Sequence, residues 1–237
     1  MSTSIDNRDE ERKALARRLN WLRAGVLGAN DGIVSTAGIV MGVAGATFES
    51  GPILIAGVAA LVAGSISMAG GEYASVSAQR DSEIAALAKE RRELKDNPNG
   101  ELLELAMYYR NRGLSKKLSL AVATELSVTD PVGAHAEAEL GIDSEEHVSP
   151  GAAAFASFVA FALGSSLPIL AITGPWIEHR ELATVGSVVI ALALTGFFGA
   201  KIGRAKPMRA VIRNVVVSLL TMGIAYAIGT ALGVAVG

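Results

Sequence analysis

The chain has 237 residues, of which 51% are hydrophobic, with 26 glycines, no cysteine and a formal net charge of −2. No basic patch is interleaved with aromatics, which excludes nucleic-acid binding, and the missing cysteine excludes disulfides, thiolate metal sites and cysteine nucleophiles. A mean hydropathy of +0.41, with apolar residues gathered into long runs and charges into blocks, is the pattern of an all-α membrane protein rather than of a soluble amphipathic core.

Residues 1–21 are densely charged and read as a cytoplasmic N-terminal segment without a cleavable signal peptide. A bilayer core about 30 Å thick needs roughly 20 apolar residues of helix, and five stretches qualify. The first two, Leu22–Phe48 and Pro52–Ala78, make residues 22–78 a pair of transmembrane helices, each with a single acid well inside it, Asp31 and Glu72. Residues 79–149 are the one long polar portion, with a helical pattern interrupted at Asn97-Pro98-Asn99-Gly100, Gly113-Leu114-Ser115 and Thr129-Asp130-Pro131. Three or four short helices are predicted there, the first continuing out of span two without a break. Thr129 or Asp130 is placed to cap a short helix starting at Pro131 and ended by Gly141. About 70 residues in short helices make a small core, which argues for a second copy of the chain as support. Residues 150–237 hold the last three spans, Pro150–Ile172, Leu182–Ala200 and Val211–Val236. Gly28-x3-Gly32 and Gly38-x3-Gly42 mark close helix packing, and no long apolar–polar alternation suggests strands.

Orientation follows from the basic residues. With the N-terminus in the cytoplasm and each span crossing once, 20 of the 21 Lys and Arg fall on the cytoplasmic side, leaving only Arg180 opposite. The polar insert at 79–149 is then cytoplasmic.

An acid inside a membrane span is costly and marks a functional site by default. Asp31 lies eight residues in from Arg23, and Glu72 eight residues in from Arg80. At 1.5 Å per residue, both acids sit about 12 Å deep from the same face. Met68 is one turn from Glu72 on the same helix face. Two carboxylates and a thioether suit a transition metal, because oxygen alone fits magnesium or calcium while sulfur shifts preference toward iron(II) and its neighbours. Such carboxylates bind protons when the metal is absent, a physical basis for exchange. The plain readings are that Met68 fills core space and that Glu72 pairs with a base near the interface.

In the insert, Glu90 and Glu93 are three apart, as are Glu101 and Glu104, so each pair shares a helix face. His135 and Glu139 are four apart on the helix after Pro131. Carboxylates with an imidazole suit iron(II), manganese(II) or zinc(II). The interleaved Lys89, Arg91, Arg92 and Lys95 fit a solvated charged helix equally well. His147 and His179 read as loop residues without an assigned role.

Leu27-Gly28-Ala29-Asn30-Asp31-Gly32-Ile33-Val34-Ser35 and Gly64-Ser65-Ile66-Ser67-Met68-Ala69-Gly70-Gly71-Glu72-Tyr73 resemble the first-span and second-span signatures of the vacuolar iron transporter family. The resemblance extends over nearly the whole chain. It implies five spans with a helical cytoplasmic metal-binding insert, and a homodimer whose spans enclose a path for iron(II) exchanged against protons. It implies Asp31 and Met68 as pathway residues, Glu90, Glu93, Glu101 and Glu104 as the glutamates of the cytoplasmic metal site, and Glu139 as a fifth. Where the plant pattern has a methionine pair before that glutamate, this sequence has His135-Ala136, which makes His135 a candidate replacement ligand. Glu72 lies outside the plant pathway motif and rests on its depth.

The resulting expectation is a proton-coupled exporter of iron(II) or manganese(II), with zinc(II) and cobalt(II) as further candidates and no organic cofactor. The bilayer, divalent ions, protons and a second copy of the chain are its partners, in a bacterial inner membrane, or a vacuolar membrane if the source is eukaryotic. An intramembrane aspartyl protease needs two facing aspartates, and Asp31 stands alone in its span. A serine protease lacks a histidine at membrane depth. A membrane-anchored sensor or storage protein is the alternative, since it would need the glutamates but not Asp31.

Overall fold

The computed structural model describes residues 3–141, 149–203 and 205–236. His147 lies outside them. All regular elements among the described residues are helical: α1 (Thr3–Ala46), α2 (Ser50–Asp96), α3 (Pro98–Asn111), α4 (Lys116–Thr129), α5 (Pro131–His135), α6 (Pro150–Ile172), α7 (Arg180–Ile202) and α8 (Pro207–Val236). A π-helical turn, Ala136–Leu140, extends α5, and a 3₁₀ turn, Ile177–His179, precedes α7. Five helices are long and apolar enough to cross a membrane, at Gly25–Ala46, Ser50–Asp96, Pro150–Ile172, Ile177–Ile202 and Pro207–Ala235. They match the five apolar runs. As expected, α2 does not stop where its apolar part ends but runs unbroken to Asp96. The chain forms two compact units, residues 1–73 with 151–237, and residues 74–150.

The first unit is held by close helix contacts that small residues permit. Gly32 on α1 packs so tightly on α6 that a Cβ there would run into the Phe161 carbonyl. One turn earlier, Gly28 faces Ala160. Further along α1, Gly42 meets Gly229 of α8, where a Cβ would strike the Gly42 carbonyl oxygen. The two glycine pairs read from the sequence thus serve different partners, Gly28/Gly32 for α6 and Gly42 for α8. Between them Ile33, Val40, Ile53, Ile169, Leu192 and Met222 form a shared apolar core. On α7 the buried residues Arg180, Thr184, Val188, Leu192, Gly196 and Ala200 recur every four residues, one continuous ridge facing inward. The opposite faces leave large apolar residues such as Leu182, Ile190 and Leu220 uncovered, as a lipid environment requires.

Arg180 is the exception on that ridge, a charged side chain only 2% exposed. Its Nη1 donates to the Phe48 carbonyl at 3.1 Å and its Nη2 to the Thr47 carbonyl at 3.5 Å, while Nε donates to Glu181 at 3.3 Å. The guanidinium therefore satisfies carbonyls just past the C-terminus of α1, where a helix lacks partners and favours positive charge.

The second unit has a small core of Leu105, Ala106, Ala123 and Ala138, flanked by Leu102, Tyr108, Tyr109 and Ala134. Its chain reversals are capped by the residues that mark them in the sequence. Asn97 accepts from the Gly100 N–H at 3.1 Å ahead of α3, and Ser115 from the Leu118 N–H at 3.3 Å ahead of α4. Asp130, rather than Thr129, caps α5 by accepting from the Gly133 N–H at 3.0 Å. Gly141 ends the π turn with φ 65°, a left-handed conformation that glycine adopts without strain.

Candidate functional site

In the first unit a cavity of about 500 Å³ opens between α1, α2 and α6. Asp31, Ser35, Thr36 and Ile39 line it from α1, and Phe161 from α6. From α2 come Ala60, Ala63, Gly64, Ser67, Met68, Gly71 and Glu72, which repeat every three or four residues and so share one helix face. The three candidate pathway residues, Asp31, Met68 and Glu72, are thus brought to one space by two antecedents in the sequence: equal depth, and i,i+4 spacing on α2. Gly64 matters to the shape, because a Cβ there would collide with the Phe161 ring. Asp31 Oδ1 accepts from Ser35 Oγ at 2.9 Å, one helical turn along α1. Two carboxylates, a thioether and several hydroxyls around a space this size can surround a divalent ion that keeps some of its water.

Sequence reasoning did not single out Ser35, Thr36, Ser67 or Phe161. The i,i+4 relation of Ser35 to Asp31 was a usable signal. Phe161, on a helix far away in the chain, offered none.

The second unit gathers a different set. Glu90 comes from the polar end of α2, Glu101 from the first turn of α3, His135 from the end of α5 and Glu139 from the π turn. His135 is fully buried. Its Nδ1 lies 3.1 Å from Glu90 Oε1, 3.2 Å from Glu139 Oε1 and 3.9 Å from Glu101 Oε2. Ligand atoms of Glu90, His135 and Glu139 all fall within 4.8 Å of one another. Despite these short distances, neither ring nitrogen of His135 nor Glu90 Oε1 has an aligned hydrogen bond among the described residues. The ligand atoms crowd one point, an arrangement that suits a cation between them. The π turn contributes by carrying Glu139 back over His135, and such turns recur at functional sites.

Burial raises the Glu90 carboxyl above its ordinary value, the His135 charge opposes that rise, and Glu139 and Glu93 reinforce it. Burial likewise raises Glu101, helped by Glu104 and Glu90. It also raises Glu139, against the pull of His135 and with the push of Glu104 and Glu101. Carboxylates brought this close repel one another, and a proton or a cation between them relieves that repulsion.

The remaining candidates sit further out. Glu93 is tied to Lys89, Nζ to Oε2 at 2.8 Å, on the exposed side of α2. Glu104 is exposed and reaches the cluster through its charge. His179 precedes α7 without a side-chain capping bond.

The VIT family model matches residues 22–230 of this chain. A vacuolar iron transporter of Acanthamoeba castellanii is 42% identical over 223 residues, covering 93% of this chain and 82% of its own length. Vacuolar iron transporter homolog 5 of Oryza sativa subsp. japonica is 36% identical over 214 residues, 90% of this chain and 80% of its own. Vacuolar iron transporter homolog 3 of Arabidopsis thaliana is 32% identical over 228 residues, 94% and 90% of the two chains.

Proposed function

The chain belongs to the VIT family, and from that premise we propose that it exports iron(II), and manganese(II) with it, from the cytoplasm across the membrane in exchange for protons. Membership places it among transporters of metal ions rather than enzymes. The observation that carries the reading is that Asp31, Met68 and Glu72 line one cavity among helices apolar enough to span a bilayer. Carboxylates in such a place bind either a metal or protons, and that competition couples one flux to the other. Glu90, His135 and Glu139, with Glu101 beside them, form the cytoplasmic collecting site, and Glu93 and Glu104 add negative charge around it. An imidazole in that set also accommodates zinc(II) and cobalt(II).

The working unit in this proposal is a homodimer in a bacterial inner membrane. Ile55, Val58, Val62 and Ile66 form an uncovered apolar face along α2, the helix that carries Met68 and Glu72. The positive-inside balance of the sequence supports a cytoplasmic placement for the Glu90–His135–Glu139 unit.

Proteoliposomes with a chelating fluorophore inside and iron(II) outside test the reading, with and without a proton gradient. Gradient-stimulated uptake that disappears in Asp31→Ala is the expected result. If the purified protein binds metal but neither form moves it, the chain is a membrane-anchored sensor or store instead.

A further inference from the structure

Threonines inside helices usually donate their hydroxyl to the carbonyl four residues back, and most of those in this protein follow suit. Thr124 donates to Leu120, Thr184 to Arg180, Thr221 to Val217 and Thr230 to Tyr226, at 2.8, 2.7, 2.9 and 3.0 Å. Thr36 does not. It is fully buried and its Oγ1 has no partner among the described residues, yet it lines the cavity that holds Asp31 and Met68.

The reason lies on a neighbouring helix. The acceptor four residues back is the Gly32 carbonyl, which has two lone pairs. One receives the N–H of Thr36 itself within the unbroken α1. The other receives Ser165 Oγ from α6, at 3.2 Å. Ser165 reaches it only because residue 32 is glycine, since a Cβ there would stand 3.0 Å from that hydroxyl and collide with the Phe161 carbonyl. The packing of α6 against Gly32 therefore frees a buried hydroxyl beside the cavity. A buried hydroxyl with no partner is destabilising; Ser65 and Ser218 of the same unit also carry one, but of the three only Thr36 lines the cavity, where a ligand can explain its retention.

We infer that Thr36 Oγ1 is an oxygen ligand for the divalent cation in the cavity, and that Ser165 is the positioning residue that keeps it free. This deepens the transport reading and rests on it. A neutral oxygen takes the place of a hydration water without adding charge. The ion is thereby coordinated between Asp31 and Met68 yet not held so tightly that it stays. Removing the hydroxyl weakens capture of the ion rather than the folding of the helix.

Iron(II) uptake into proteoliposomes tests this with the parent, T36V, T36S, S165A and the T36V/S165A pair, alongside Asp31→Ala. T36V should raise the KM for iron(II) about tenfold, within the range of ligand-shell losses, and T36S should restore it. T36V should melt no lower than the parent, because it removes an unsatisfied group, so a loss of fold cannot mimic the result. S165A should also raise KM, since Thr36 can then turn to the Gly32 carbonyl, and the double variant should match T36V alone. Parent-like KM in T36V with uptake still dependent on Asp31 overturns the assignment of Thr36 and leaves the transport reading standing. Strictly additive effects of T36V and S165A overturn the positioning role of Ser165. Uptake that does not depend on Asp31 removes the cavity as the path, and the Thr36 inference with it.

Discussion

In the cavity, Asp31, Met68 and Glu72 border a space of about 500 Å³ and Asp31 remains exposed to it, whereas around His135 the donor atoms already lie within 4.8 Å of one another and the imidazole is fully buried. The donors are alike, carboxylates with one softer or neutral partner, but their spacing suits different tasks. Loosely set ligands with room for water bind an ion without trapping it. Converged ligands whose carboxyls are raised by burial take up protons more readily than free carboxylates do, and a cation competes with those protons. In the proposed function the first region serves passage and the second capture.

The largest effect that would break this division is expected at Asp31. Asp31→Asn keeps the shape and removes the charge, and iron(II) uptake should fall by about 30-fold or more, the scale of a lost desolvated charge contact. Metal binding at the His135 cluster should be unchanged, measured by calorimetric titration of the purified full chain. Equal losses at both readouts would mean that the two regions bind as one site.

His135→Ala should do the reverse. On the Asp31→Asn background, where only the cluster binds, it should lower cobalt(II) affinity by about 10- to 100-fold, as loss of a ligand-shell member does. On the parent background, uptake at saturating iron(II) should persist. A cluster that binds cobalt(II) normally without His135 would return its glutamates to the role of a solvated, charged helix.

The two regions also differ in how far the sequence disclosed them. The spans were legible because a membrane demands about 20 apolar residues in a row, and the depth of Asp31 and Glu72 followed from counting inward from Arg23 and Arg80. The helix from Pro131 to Gly141 was legible from its caps. His135 and Glu90 are 45 positions apart by number, and nothing in spacing alone says that α5 buries the imidazole against α2 and α3. The π turn that brings Glu139 to it has no sequence mark. Arg180 read as the lone base on its side of the membrane, but its role as a cap for carbonyls beyond α1 depends on where α7 begins. The free hydroxyl of Thr36 depends on a serine 129 positions later by number.

A smaller effect separates capture from passage by pH. Glu90, Glu101 and Glu139 all sit above the ordinary carboxyl value, chiefly through burial. Between that ordinary value and their raised ones, the folded protein binds more protons than the unfolded chain. The metal-free form should therefore lose stability as pH rises through that window, and regain it as pH falls. Metal affinity at the cluster should run the opposite way, rising with pH as the protons leave. Calorimetry in buffers of different ionisation enthalpy measures the protons released per cobalt(II) bound. Release of none would show that these carboxyls are already ionised and that burial does not protonate them.

The smallest effect is expected at Glu93, and it tests where the cluster ends. Its carboxylate is held by Lys89 at 2.8 Å on the exposed face of α2, whereas Glu90 next to it points into the cluster. Glu93→Gln removes a negative charge that attracts the incoming cation, which weakens binding. The same charge helps to raise the Glu90 carboxyl, so its loss eases ionisation of a ligand and strengthens binding. The two consequences oppose each other, and both come from an exposed charge that solvent and salt screen. Cobalt(II) affinity should change by less than about threefold, the modest scale of exposed charge interactions. A loss as large as that of His135→Ala would instead mean that the Lys89–Glu93 pair opens when metal arrives and that Glu93 turns inward as a ligand, which would extend the capture site from the buried His135 to the exposed face of α2.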